Sequence, residues 1–210
     1  MAKRYNQYCP VAHALDLVGE RWSLLVVREL AHGPLRYTDL HARLGCGTNV
    51  LAQRLRELEA GGVVARRKLP PPAASTVYEL TASGEGLRPV LHSLAWWGVR
   101  SLGPPPDDIE FEPGWLTGAL RTALWSVPAE DVVEFRIGDE VASFHGGRGV
   151  HDGSSADPGA VVFGDARGLF HLLVDGDLTG VDVEGDLGAV ERLLAALPGS
   201  PAQVADASAV

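Results

Sequence analysis

A proline-rich break at Gly103-Pro104-Pro105-Pro106-Asp107-Asp108 divides the chain into halves of opposite charge, and this division restricts its possible folds more than any other feature. Consecutive prolines cannot sit inside a helix or a central strand, so no regular element runs through the segment. Before it, residues 1–102 hold 13 Lys and Arg against 8 Asp and Glu; after it, residues 103–210 hold 5 against 19. The first half is net +5 and the second net −14, which together give the −9 of the whole chain. A basic half suits a polyanion, and an acidic half is repelled by one. At 210 residues there is room for two domains of ordinary size. The sequence thus predicts a basic domain over 1–102, a semi-rigid linker over 103–113, a second domain over 114–198 and a disordered tail over 199–210.

Several classes drop out. With 46% hydrophobic and 21% charged residues the chain reads as globular. No apolar run approaches the roughly 18 residues of a membrane span. The basic start is interrupted by Cys9-Pro10 where a signal peptide would need an apolar stretch, which predicts a cytoplasmic location. Two cysteines, Cys9 and Cys46, imply no disulfide framework.

The basic half reads as mostly helical. Pro10 opens a short helix that Gly19 ends, and a second runs from about Arg21 to Ala31 before Gly33-Pro34. Tyr37, Leu40 and Leu44 mark a third, Gly45-Cys46-Gly47 a turn, and Thr48 to Ala60 a fourth, which is helix-turn-helix spacing. On the fourth helix Leu51, Leu55 and Leu58 fall within about 60° of one another, so they face a core. Asn49, Ala52, Gln53 and Arg56 are left on the other side, where Asn, Gln and Arg can pair with adenine and guanine edges. A solvated helix face would show the same residues. Two strands then form a hairpin, Val63 to Lys68 and Thr76 to Leu80, with Arg66, Arg67 and Lys68 in a row on its first arm. Such a wing would lie along phosphates and add affinity without sequence information. One last helix, from Thr81-Ala82-Ser83 to about Leu102, carries Leu87, Val90, Leu91, Leu94 and Trp97. It is more apolar than one small core requires, which predicts a dimerisation helix packing on the N-terminal helix.

Tyr8-Cys9-Pro10-Val11, Asp16-Leu17-Val18-Gly19-Glu20-Arg21-Trp22, Gly33-Pro34-Leu35-Arg36-Tyr37, the run Leu51 to Glu59, and Tyr78-Glu79-Leu80-Thr81 together resemble the HxlR family of bacterial winged-helix transcription regulators, which are MarR-like. The resemblance covers about residues 5 to 100. It implies a homodimeric repressor on an inverted repeat of double-stranded DNA, with the fourth helix in the major groove and Arg36, Thr48, Asn49, Ala52, Gln53, Arg56, Arg66, Arg67, Lys68 and Ser75 at the contact. Two positions depart from the family. Gly47-Thr48 stands where the family has Ser-Pro, so capping would fall to Thr48. Ser75 or Thr76 stands where the family has a basic wing residue. In some HxlR relatives a cysteine at the position of Cys9 senses oxidants or electrophiles, which offers a redox alternative.

In the acidic half a helix over Trp115 to Trp125 precedes strands at 132–137, 140–145, 160–166 and 181–186. Helices follow the last two strands, so the whole chain is α+β. The last 75 or so residues resemble a sterol carrier protein type domain, with Val183-Glu184-Gly185-Asp186 as the signature. That implies a pocket for a small apolar effector, lined by Trp115, Leu120, Trp125, Phe135, Phe144, Phe163 and Phe170. The glycine loop between His145 and His151-Asp152 lacks P-loop or zinc spacing and reads as a hairpin turn. No nucleophile with a base, no metal site and no cofactor fingerprint is present, so an enzyme is not expected. The rival class is a small-molecule carrier or enzyme whose N-terminal half is a scaffold that binds no DNA.

Overall fold

The computed structural model describes residues 5–72, 74–106, 108–125 and 127–197. The expected tail over 199–210 lies outside them. The protein is α+β and forms two compact units, Met1–Leu91 and His92–Val210.

The first unit begins with α1 (Pro10–Val18) and α2 (Ser23–Leu30). Pro10 occupies the first turn of α1, where its missing N–H costs nothing. The second helix starts later than its apolar spacing predicts because Trp22 takes a left-handed φ of 79°, which ends any helical run through it. A two-residue strand β1 (Leu35–Arg36) leads into α3 (Tyr37–Leu44). Gly45, at φ 61°, then turns the chain towards α4 (Thr48–Ala60). The hairpin β2 (Val64–Lys68) and β3 (Thr76–Leu80) follows, and β1 adds to β3 by pairing Leu35 with Tyr78 and Arg36 with Val77. That third strand is missed from the sequence, since two residues carry no period. The core is formed by Val26, Val27 and Leu30 of α2, Leu40 and Leu44 of α3, and Leu51, Leu55 and Leu58 of α4, with Cys46 packed among them.

The single helix expected over 81–102 is two, α5 (Ala82–Glu85) and α6 (Arg88–Leu102). Pro89 is the cause: it has no N–H for the Glu85 carbonyl, and its ring would collide with that carbonyl. Thr81 caps α5 by accepting from Gly84 N at 3.1 Å. The two units divide inside α6 rather than at the proline segment. Leu87 and Leu91 pack on the first core. Trp96 packs on the second, and His92 Nε2 lies 3.4 Å from the Ala123 carbonyl.

The second unit holds α7 (Trp115–Ala123), β4 (Val132–Ile137), β5 (Glu140–His145), β6 (Gly149–Asp152), β7 (Ala160–Gly164), α8 (Ala166–Asp175), β8 (Val181–Gly185) and α9 (Leu187–Ala195). Its sheet runs β6-β5-β4-β7-β8, with β4 and β7 parallel and the other neighbours antiparallel. β6 carries no strand pattern of its own; it completes the hairpin expected around the glycine loop. Side chains alternate across the sheet, so Val133, Phe135, Phe144 and Val162 share one face. Leu116 and Leu120 of α7, Leu169 and Leu172 of α8, and Val190 and Leu193 of α9 join that face in one core. The opposite face carries Glu134, Arg136, Ser143 and Phe163.

Candidate nucleic-acid interface

The apolar stripe of α4 is buried as its spacing requires, which turns Asn49, Gln53 and Arg56 to solvent and leaves Ala52 half-buried. The start of the helix is fixed from α3. Tyr37 Oη donates to the Thr48 carbonyl at 2.8 Å, and Tyr37 stacks on His41, whose Nε2 is 3.4 Å from Thr48 Oγ1. Thr48 therefore does not take over the capping role. Gly47 is the N-cap, and among the described residues no side-chain cap hydrogen bond forms there. Arg56 Nε donates back to the Ala52 carbonyl at 3.2 Å. Gln53 Nε2 donates to Glu57 Oε1 at 3.0 Å.

Two residues that the pattern did not single out, Arg54 and Glu57, brace this face from the core side. The Arg54 side chain is only 10% exposed, and its Nη1 lies 2.8 Å from Glu57 and 3.3 Å from Glu20. That nitrogen is in ionic contact without an aligned hydrogen bond. The spacing permits both contacts, Gln53 and Glu57 being four apart and Arg54 and Glu57 three apart on one helix, but does not tell that Arg54 turns inwards.

On the wing, the three cations differ. Arg66 lies over the Tyr78 ring at 5.7 Å and Lys68 is exposed, with no ion pair among the described residues. Arg67 is held by Glu79, Nε to both carboxylate oxygens at 2.9 and 2.8 Å. The Ser75 hydroxyl is buried and unpartnered among the described residues, so it does not face solvent as a groove contact would require. Arg36 is exposed at the head of α3, and its N–H donates to Asp39 Oδ2 at 3.2 Å.

The five candidate dimer residues fall into two sets. Leu87 and Leu91 lean on the core of the first unit. Val90, Leu94 and Trp97 are 52%, 44% and 75% exposed, at the i, i+4, i+7 spacing of one helical stripe. Val11 and Leu15 of α1 are exposed as well. Cys9 is a free, half-buried cysteine at the N-cap of α1, making no cap hydrogen bond.

The seven candidate pocket residues do not line one cavity. Leu120, Phe135 and Phe144 are fully buried in the packed core. Trp115 is half-buried against that core and stacks on Phe111 at 4.1 Å, while Trp125 is exposed. Phe163 is on the other face of the sheet, 5.6 Å beneath the Arg136 guanidinium. Phe170 is half-buried and edge-on to His171. On that other face Glu134 is buried, accepting from Arg136 Nε at 2.7 Å and from Ser155 N at 2.7 Å. His145 Nε2 is 3.1 Å from Ser143 Oγ. Burial, then the neighbouring His151 and Arg148, holds the His145 imidazole below its ordinary range. No group of three His, Cys, Asp or Glu residues fit to hold a metal occurs among the described residues.

Two helices joined by a glycine turn, the second held with a polar face outwards and followed by a basic hairpin, define a winged helix-turn-helix regulator. The chain belongs to the HxlR-like helix-turn-helix family, whose match spans residues 17–105. It is similar to the HTH-type transcriptional regulator sll1512 of Synechocystis sp., 43% identical over 87 residues, or 41% of this chain and 64% of that one, just under two thirds of its length. It is also similar to the HTH-type transcriptional regulator YvaP of Bacillus subtilis, 34% identical over 101 residues, covering 47% of this chain and 94% of YvaP. YodB, an HTH-type transcriptional regulator of the same organism, is 33% identical over 101 residues, covering 47% and 90%. Its reduced form superposes over 45% of this chain and 94% of that one, with a TM-score of 0.41 and 31% identity. The family match ends at residue 105, before the sheet of the second unit. No helix among the described residues is long and apolar enough to cross a membrane.

Proposed function

We propose that the protein is a homodimeric repressor that binds an inverted repeat of double-stranded DNA. Each subunit would set α4 in a major groove, the half-sites lying about one helical turn apart. The carrying observation is the polar face of α4, with Asn49, Gln53 and Arg56 all exposed on a helix whose start is fixed by Tyr37. Those three side chains meet base edges. Arg36, Thr48, Arg66 and Lys68 meet phosphates, and Arg67 adds less because Glu79 already neutralises it. The exposed stripe Val90, Leu94 and Trp97 supplies the dimer contact. Gln53→Ala is expected to erase preference at one base pair of each half-site. Lys68→Ala is expected to weaken all DNA alike and to lower the slope of log K against log salt by about 1. Retention of full specific binding by Gln53→Ala would contradict the assignment.

The second unit is proposed to modulate that affinity through a small apolar ligand, by binding one dimer arrangement better than the other. What supports this is the order of its elements, a helix, four strands, a helix, a fifth strand and a last helix, with the helices on one aromatic-rich face. The Val183-Glu184-Gly185-Asp186 signature is accounted for by folding alone. Gly185 sits at φ 91° against the Gly159 carbonyl, and Asp186 caps α9 by accepting from Gly188 N at 2.9 Å. Native mass spectrometry of the full chain tests the idea: a dimer carrying a discrete extra mass supports it, and a bare dimer shifts effector sensing elsewhere. Cys9 is then the alternative sensor, since its thiol is free and partly accessible. On that reading Cys9→Ser stops an oxidant from releasing DNA.

A further inference from the structure

We propose that Glu57 is a specificity-determining residue that locks the Gln53 amide in the orientation that reads adenine. The inference rests on α4 being the helix that enters the major groove. Glu57 lies one turn after Gln53, and its carboxylate is shared. Oε1 accepts from Gln53 Nε2 at 3.0 Å, while Oε2 lies 2.8 Å from Arg54 Nη1. Arg54 is itself largely buried and paired with Glu20 at 3.3 Å, so the carboxylate is gripped from the core side and its charge is offset before any phosphate approaches.

A carboxylate only accepts hydrogen bonds, so only the NH2 end of the Gln53 amide can face it. The reversed amide would set oxygen against oxygen. One amide proton is used by Glu57, which leaves a carbonyl oxygen and a second N–H for the groove. One acceptor beside one donor is what the N6 amino group and N7 of adenine require, whereas guanine presents two acceptors, O6 and N7, on the same edge. An unheld amide would exchange its two ends freely and lose rotational freedom on binding. The lock removes that cost and the wrong orientation together.

The test selects duplexes from a randomised library with the full-length wild type, Gln53→Ala, Glu57→Gln and Glu57→Asp. The wild type is expected to show one adenine-preferring position per half-site, lost in Gln53→Ala. In Glu57→Gln the preference there falls about tenfold, because an introduced amide accepts or donates with equal ease and satisfies either orientation of Gln53. Preferences at the other positions stay as they were. Glu57→Asp keeps a negative charge for Arg54 but withdraws it by one methylene from Gln53, so it gives the same loss and keeps the test open if the amide variant folds poorly. An unchanged adenine preference in a folded Glu57 variant overturns the proposal. So does a uniform weakening at all positions with a lowered melting temperature, which is what a merely structural Glu57 would give. A wild type that enriches no sequence, or a Gln53→Ala variant with an unaltered motif, instead overturns the reading of α4, and this assignment falls with it.

Discussion

Gln53, Arg54 and Glu57 show how side chains three or four apart on one helix can hold an exposed polar group in place from the core side. Leu55, fully buried beside them, holds the helix down, and Leu55→Ala is expected to cost about 2–5 kcal/mol in urea unfolding. On the wing, the pairing of Arg67 with Glu79 separates two variants that the sequence would treat alike. Arg66→Ala is expected to lower affinity for all DNA more than Arg67→Ala does, and binding isotherms at several salt concentrations read the difference. Equal losses would mean that Glu79 releases Arg67 on the DNA. The exposed face of α4 was legible because Leu51, Leu55 and Leu58 fix its phase. Arg54 was not, since a period of apolar residues assigns every charge to solvent, whereas a long guanidinium arm can fold back to carboxylates at Glu20 and Glu57. The inward turn of the Ser75 hydroxyl was hidden for a similar reason: its position on the loop was readable, its orientation was not.

At the scale of elements, the boundaries of α1, α3, α4, β3, β4 and β5 coincide with what apolar spacing, Gly and Pro predict. The misses have one physical character. β1 and β6 are strands by virtue of their partners, β3 and β5, and such short segments carry no period of their own. The break between α5 and α6 does not show in the apolar pattern, which continues across Pro89 while the hydrogen bonds cannot. Close approaches of backbone to backbone are equally invisible in a pattern. A Cβ on Gly168 of α8 would stand 2.0 Å from the Gly180 carbonyl oxygen, so Gly168→Ala is expected to cost about 2 kcal/mol or more, measured as a fall in the urea midpoint of the second unit. The hairpin of β5 and β6 also has a pH signature. Folding depresses the His145 pKa, so the unfolded chain takes up a proton first as the pH falls below the ordinary value of 6.5. Stability from this group is complete above that value and is lost on descent from it through the lower folded-state value. His145→Gln is expected to flatten the acid limb of a urea-midpoint profile, and an unchanged limb would assign the loss to other groups.

For the whole molecule, the switch from +5 to −14 at the proline segment marks a chain with one half able to meet a polyanion and one half not. The family match falls on the basic half, residues 17–105. The N-terminal fold and the exposed polar face of α4 were therefore readable from sequence, where motif, period and charge agree. The role of the acidic half was less so, because the face a strand residue occupies depends on register, and register separated Phe163 from Phe135 and Phe144. Dimerisation is the property of the whole that most needs testing. Leu94→Glu with Trp97→Glu places like charges on both sides of a two-fold contact, and is expected to give a monomer in sedimentation and to lower specific affinity at least tenfold. A double variant that remains a dimer would move the interface off this stripe of α6.

The most direct test of the central claim is the affinity of the full-length protein for its library-selected duplex and for a scrambled duplex of the same composition, measured by fluorescence anisotropy over a range of salt. A sequence-reading winged helix is expected to prefer the selected duplex by about a thousandfold or more, with log K for both falling linearly as log salt rises. Equal affinity for the two duplexes, or no binding to either, would contradict the assignment of α4 and the wing as a DNA reader.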